Sequence, residues 1–166
     1  MRLLGHWTRR ALLALILAPT MPPEAGAHEV TVGDLVIDHP WARASAGQAS
    51  NGALYLTITN HGAEADRLIA IETPVAERAE LHESAMDANG VMTMRMVEAV
   101  DIAPGATVKL EPGELHVMLF GLAAPLRVET MVAATLVFER VGRVAVEVYV
   151  EPVGAAEPSH APAAAP

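Results

Sequence analysis

Residues 81–118 read LHESAMDANGVMTMRMVEAVDIAPGATVKLEPGELHVM, and the alternation of residue types in this stretch predicts the fold class. Turn signals at 87–90, at Pro104-Gly105 and at Pro112-Gly113 cut the stretch into short runs. Between the turns, 91–97 alternates methionine with other residues, and 115–121 is apolar on alternate positions. A two-residue period of this kind is typical of β-strands, and no window keeps the 3.6-residue apolar period of a helix.

The same pattern of short runs and turns is found on both sides of this stretch. Runs rich in apolar and β-branched residues, separated by turn residues, cover 30–37, 53–59, 67–72, 79–83, 107–110, 130–139 and 143–150. We expect 30–37 and 130–150 to form hairpins, and both halves of the 81–118 stretch to be carried on hairpins. Pro40 marks a bend or an edge position. About nine short strands with little helix predict an all-β sandwich or barrel.

The quoted stretch also concentrates soft metal ligands. It holds five of the eight methionines and two of the seven histidines of the chain. Thioether sulfur and neutral imidazole together favour monovalent copper. His116 and Met118 share one face of a strand, about 6.7 Å apart, so His82 and a middle methionine would have to come from neighbouring strands. The residues alone do not rank the alternating methionines Met92, Met94 and Met96.

A simpler interpretation competes with a metal site for each of these residues. Methionine commonly fills gaps in a protein core, and this is the favoured interpretation of the alternating methionines taken alone. A single histidine is more often exposed or hydrogen-bonded than a ligand. The coincidence of both residue types in one short segment shifts the balance towards copper.

The N-terminus predicts export. Three arginines lie among the first ten residues, and an apolar run follows over 11–18. The sequence Ala25-Gly26-Ala27 matches a cleavage site, so we expect residues 1–27 to be a signal peptide and His28 to begin a periplasmic chain. The apolar run is too short to span a bilayer, so we expect no stable membrane insertion. The sequence leaves the Sec and twin-arginine routes open.

Composition bounds the remaining organisation. The chain is 52% hydrophobic and 19% charged, which favours one globular domain over 28–151. A tail rich in Pro and Ala follows over 152–166, which we expect to be disordered. The net charge of -9 argues against nucleic acid as a partner.

The chain contains no cysteine, and this excludes one class of copper protein. Blue-copper electron carriers need a thiolate beside two histidines. A hydrolytic zinc site is also disfavoured: His82-Glu83 begins like HExxH, but the fifth position is Met86. Zinc prefers harder donors or thiolates to thioether. We therefore expect a binding protein and no enzymatic activity.

The quoted stretch resembles the metal motif of periplasmic copper chaperones of the PCu(A)C type. That motif is a histidine, usually followed by methionine, then ten residues, a methionine, twenty-one residues and His-x-Met. Here ten residues separate His82-Glu83 from Met94, and twenty-one separate Met94 from His116. The resemblance extends to 39–43, 54–60 and 110–122.

The resemblance implies a cupredoxin-like Greek-key β-sandwich that binds one Cu(I). The ligands it implies are His82, Met94, His116 and Met118. Glu83 replaces the methionine that often follows the first histidine of the motif. That methionine is not one of the four implied ligands.

The resemblance further implies carriage of copper towards cytochrome oxidase, handed to an oxidase copper subunit or a periplasmic thiol assembly factor. We expect a monomer, and we note a weak second copper at His28 or His160 as an open possibility. Met86, Met92 and Met96 remain candidates for transient ligands. The alternative function is an exported β-sandwich that binds a ligand or protein without a metal role.

Overall fold

The computed structural model describes residues 29–159, and these residues form eleven strands and no helix. The predicted all-β fold is confirmed, with eleven strands in place of about nine. The additional strands are short. The strand at 100–102, for example, has too few residues for an alternating pattern to be recognised in the sequence. The strands are β1 Glu29–Val32, β2 Leu35–Arg43, β3 Asn51–Asn60, β4 Asp66–Glu72, β5 Ala76–Met86, β6 Met92–Met96, β7 Val100–Ile102, β8 Thr107–Leu110, β9 Leu115–Leu122, β10 Met131–Phe138 and β11 Arg143–Glu151.

The strands pair in the order β6-β5-β9-β3-β2-β11-β10-β4-β7, with β1 beside β2 and β8 beside β3. Every pair is antiparallel except β11 with β2. The two predicted hairpins are present as β1–β2 and β10–β11. Gly33, in the first of these turns, has a φ of 58°, a conformation that glycine adopts without steric cost.

The paired strands fold over into a sandwich around one hydrophobic core. Alternate residues of the central strands point inward, as the two-residue period predicts. On β3 these are Leu54, Leu56 and Ile58, and on β9 they are Val117 and Leu119. The opposite face of β5, β9 and β3 is therefore turned away from the core.

An irregularity in β2 shapes one side of that outer face. The register between β2 and β3 shifts between Asp38 and Trp41, and His39 has a φ of 46°. The bend predicted at Pro40 thus lies within a strand, as a bulge. Beyond the bulge, Trp41 pairs with Tyr55 of β3.

One expected hairpin is absent. The second half of the 81–118 stretch is not carried on a hairpin, although the sequence predicts one there. Instead β8 and β9 lie end to end along β3, which pairs with β8 through 56–59 and with β9 through 51–54. The turn is a local excursion, and β9 gains its second neighbour from β5.

Several sequence predictions fall outside the described residues. The signal peptide, His28 and His160 lie in 1–28 and 160–166. Residues 152–159, the described part of the predicted tail, pack back on the sandwich: Arg43 donates to the Ala155 carbonyl, and Ser159 donates to the Glu151 carboxylate. The domain boundaries stay predictions. Among residues 29–159, no helix has the length and apolar character to cross a membrane.

Candidate metal centre

Strands β5, β6 and β9 bring the two histidines together. His82 of β5 pairs directly with His116 of β9 on one side and with Met96 of β6 on the other. Directly paired residues of antiparallel strands point to the same face. Leu81 and Val117 point into the core, so the histidines lie on the outer face.

The two implied thioether ligands lie on this same face, one step to either side of the histidine pair. Met118 pairs with Glu80, the residue two before His82, and Met94 pairs with Ser84, the residue two after it. Diagonal neighbours of this kind are about 7–8 Å apart at the backbone, within reach of long side chains. The fold therefore brings all four predicted ligands to one region.

The register also places Met96 nearer His82 than Met94 is. Met96 is the direct cross-strand partner of His82, whereas Met94 is diagonal to it. Pairing alone would thus favour Met96, while the spacing motif favours Met94. Both methionines point to the histidine face.

The middle methionines are not core residues. Met92, Met94 and Met96 are 53%, 53% and 61% exposed, and Met86, paired with Met92, is 67% exposed. The competing interpretation of the alternating methionines as gap-fillers in the core is therefore wrong. Their strand, β6, is at the edge of the sheet and is exposed along its whole length.

A carboxylate orients His82. Nε2 of His82 lies 3.0 Å from Oε2 of Glu80, an acceptor when ionised, so Nε2 carries the proton of a neutral ring. Nδ1 then bears the lone pair, and it is buried with no hydrogen-bond partner among the described residues. A buried lone pair without a partner suits a cation. Carboxylate–histidine pairs commonly orient metal ligands in this way.

A backbone carbonyl orients His116. Nδ1 of His116 donates to the Glu114 carbonyl at 2.8 Å, which leaves Nε2 as the free donor to a metal. The ring centroids of His82 and His116 are 6.2 Å apart. Zinc–imidazole bonds are about 2.0–2.1 Å long, so two rings at this separation are close enough to share one ion.

Charged groups close to the centre stabilise the carboxylate. The pKa of Glu80 lies below its ordinary value, chiefly because of its hydrogen bond with His82 and further because of Arg78. Arg78 bonds Glu80 and lies over the ring of Phe120. Glu80 therefore stays ionised as the acceptor for His82.

Aromatic rings pack behind His116. The Tyr55 and His116 centroids are 6.4 Å apart, and Trp41 lies 4.4 Å from Tyr55. Burial raises the pKa of the Tyr55 phenol, partly offset by Arg43. Sequence reasoning missed Glu80 and Tyr55 as neighbours of the centre. The position of Glu80, two before His82 in a strand, was a signal that could have found it.

No three residues among His, Cys, Asp and Glu within 29–159 group together as a metal site. The donors that the fold does gather on the outer face are two imidazoles and several thioethers. This donor set is soft and matches monovalent copper better than zinc or calcium.

Comparison with known proteins gives consistent results. Residues 35–150 match the family described as "Putative lipoprotein LpqE-like". The "Putative lipoprotein Lxx21020" of Leifsonia xyli is 29% identical over 140 residues, which is 82% of each chain. Among solved structures, the copper-bound PCuAC domain from PmoF2 is 30% identical with a TM-score of 0.66, over 75% of this chain and 98% of that domain.

A second solved structure extends this similarity. Cu(I)-bound DR1885 from Deinococcus radiodurans is 28% identical with a TM-score of 0.57, over 77% of this chain and 83% of that protein. The resemblance drawn from the metal motif is thus confirmed at the level of family and fold. The chain belongs to the LpqE-like family and has the β-sandwich fold of PCuAC domains.

Proposed function

We propose that this protein is a periplasmic copper chaperone that carries one Cu(I) and hands it to a partner protein. The observation that carries the proposal is the direct pairing of His82 with His116 on the outer face of the sheet. Each ring has one nitrogen engaged by an oxygen acceptor and the other free to bind. The copper-bound PCuAC relatives support copper as the ion.

Met94 and Met118 complete the proposed ligand set with the two histidines. Two neutral imidazoles and two neutral thioethers add no negative charge, so they favour Cu(I) over Cu(II). The absence of cysteine gives a site that cannot be lost to disulfide formation in an oxidising compartment. The signal-like N-terminus and the lipoprotein relatives support an exported location.

The proposed activity is carriage and not catalysis. Met94 is 53% exposed, so an acceptor can reach this ligand without unfolding of the sandwich. Transfer would then proceed by exchange of one ligand at a time. The acceptor we propose is a copper subunit of cytochrome oxidase or a thiol protein that assembles it.

Titration of the metal-free protein with Cu(I), in competition with a chelator of known affinity and without oxygen, tests the proposal. We expect tight binding of one equivalent, lost in the double variant His82→Ala/His116→Ala. The control is His61→Ala, because His61 is exposed in the loop between β3 and β4 and is not on β5, β6 or β9. Failure to compete with the chelator would contradict a copper role and favour a binding module of another kind.

A further inference from the structure

Four exposed methionines on the β5–β6 hairpin exceed what the proposed centre uses. Met86, Met92 and Met96 join Met94 on one face, and all four are more than half exposed. Strands generally favour β-branched and aromatic residues. A core role is excluded by their exposure, so neither strand propensity nor packing explains the choice of methionine.

The methionines extend along one face of the hairpin, from the turn to His82. Met86 and Met92 form the last cross-strand pair before the turn. Met94 follows two residues after Met92 on β6, and Met96 lies beside His82. Cross-strand partners have Cβ atoms about 4.5–5.5 Å apart, so the thioethers of Met86 and Met92 can meet at one ion. Met94 is the diagonal neighbour of Met86 and can add a third sulfur.

The turn keeps the Met86–Met92 pair in register. Asp87 accepts hydrogen bonds from the backbone of Asn89 and Val91, and the Asp87 amide donates to the Val91 carbonyl. The charged pair of the hairpin, Glu83 with Arg95, occupies the other face. The face with the methionines therefore presents thioethers close to the tip without a competing charge from this pair.

We propose that Met86, Met92 and Met94 form a second, outer Cu(I) site at the tip of the hairpin. Met94 is then shared between this site and the inner histidine centre, and its sulfur bridges the two ions when both sites are filled; the transfer step below applies when the inner centre is empty. A Cu(I) ion bound at the tip exchanges the sulfurs of Met86 and Met92 for the imidazoles of the inner centre while Met94 stays bound. Copper–ligand bonds are exchanged one at a time, and no electron is transferred.

This inference deepens the proposed function and rests on it, but the two can fail separately. The outer site contains thioethers only, so it does not require the histidines. We expect the variant His82→Ala/His116→Ala to lose the tight equivalent of Cu(I) and to keep a weaker one. A protein that binds the tight equivalent alone would overturn the outer site and leave the chaperone proposal intact.

Nuclear magnetic resonance of methionine methyl groups, with the full chain titrated with Cu(I) in the absence of oxygen, tests the outer site. We expect the first equivalent to shift the Met118 methyl and the second to shift those of Met86 and Met92. Met131, 40% exposed on β10, is the control and should not move. Unmoved Met86 and Met92 methyls at two equivalents would refute the proposal.

Two variants distinguish the outer site from the inner centre. Met86→Leu/Met92→Leu should weaken the second equivalent at least tenfold and leave the first unchanged, whereas Met94→Leu should weaken both. Met131→Leu is the matched control. A second equivalent that persists unchanged in Met86→Leu/Met92→Leu would refute the outer site. Methyl shifts at the tip that appear only when an acceptor protein is added, and not with Cu(I), would identify a docking surface and also refute it.

Discussion

Removal of the Glu80 carboxylate should weaken copper binding without unfolding the protein. Glu80 holds Nε2 of His82 at 3.0 Å and so fixes which nitrogen faces the proposed ion. Loss of such an outer partner typically lowers metal affinity by about 10- to 100-fold, which corresponds to about 1.4–2.7 kcal/mol. We expect Glu80→Ala to fall in this range, and Glu80→Gln to lose less because its amide oxygen still accepts a hydrogen bond.

The assay is competition for Cu(I) against a chelator, with circular dichroism and thermal unfolding as controls for the fold. Glu83→Gln is the matched control variant. Glu83 lies on the same strand but on the opposite face, where it pairs with Arg95, so its loss should leave copper affinity unchanged. The Glu80 side chain is 23% exposed and pairs with both Arg78 and His82, so the thermal unfolding control is needed to separate lost stability from lost affinity.

Two results would refute this reasoning. Wild-type affinity in Glu80→Ala would mean that the Glu80–His82 bond does not orient a ligand. An equal loss in Glu83→Gln would mean that the effect is general electrostatics across the acidic surface, not orientation of His82.

Three further outcomes are expected. Met118→Leu should lower Cu(I) affinity at least tenfold with unchanged β circular dichroism, since leucine conserves volume but offers no sulfur; equal affinity in a chelator competition would remove Met118 from the ligand set. Hydrogen bonds from the Val91 and Asn89 amides lower the pKa of Asp87, so this carboxylate stabilises the hairpin turn above its ordinary pKa of about 3.8, and the stabilisation is lost as pH falls through the lower folded value. The protection factor of the Val91 amide, which is its exchange rate relative to an unstructured peptide at the same pH, should therefore fall only on acidification below about pH 4, and unchanged protection there would contradict the assignment. Leu136→Ala, at a fully buried position of β10, should lower the free energy of unfolding in urea by about 2–5 kcal/mol and leave copper affinity unchanged. A loss of copper affinity in this variant would show that the centre depends on the packing of β10.

The fold was readable from the sequence because its strands alternate regularly. The two-residue period assigned the inward residues Leu54, Leu56 and Ile58 correctly, and Gly33 and Gly142 lie in the two predicted hairpin turns. The arrangement of β8 and β9 was not readable, because a Pro-Gly turn fits a hairpin and an end-to-end excursion equally well. Only the pairing with β3 distinguishes the two.

The sequence predicted which residues form the candidate site, but not which residues lie beside them on neighbouring strands. Spacing within a strand fixes the face of His116 and Met118, but it does not say which residue of another strand lies opposite. The register of β5 with β6 and β9 supplies that information, and it places Met96 beside His82. The exposure of the middle methionines was equally hidden, because alternation is the same on an edge strand and in a core.

The exposure of the outer face differs between the two sides of the candidate centre. This difference bears on how copper would leave the proposed site. Trp41 and Tyr55 are each 4% exposed and His116 is 5% exposed, so one side is held in a packed layer. On the other side, Met96 is 61% exposed. In the proposed transfer an acceptor would therefore meet thioethers first, and His116 would be the ligand least able to move. Exchange should begin at the methionine edge and end with His116, because a packed ring can detach only after the mobile ligands have been replaced.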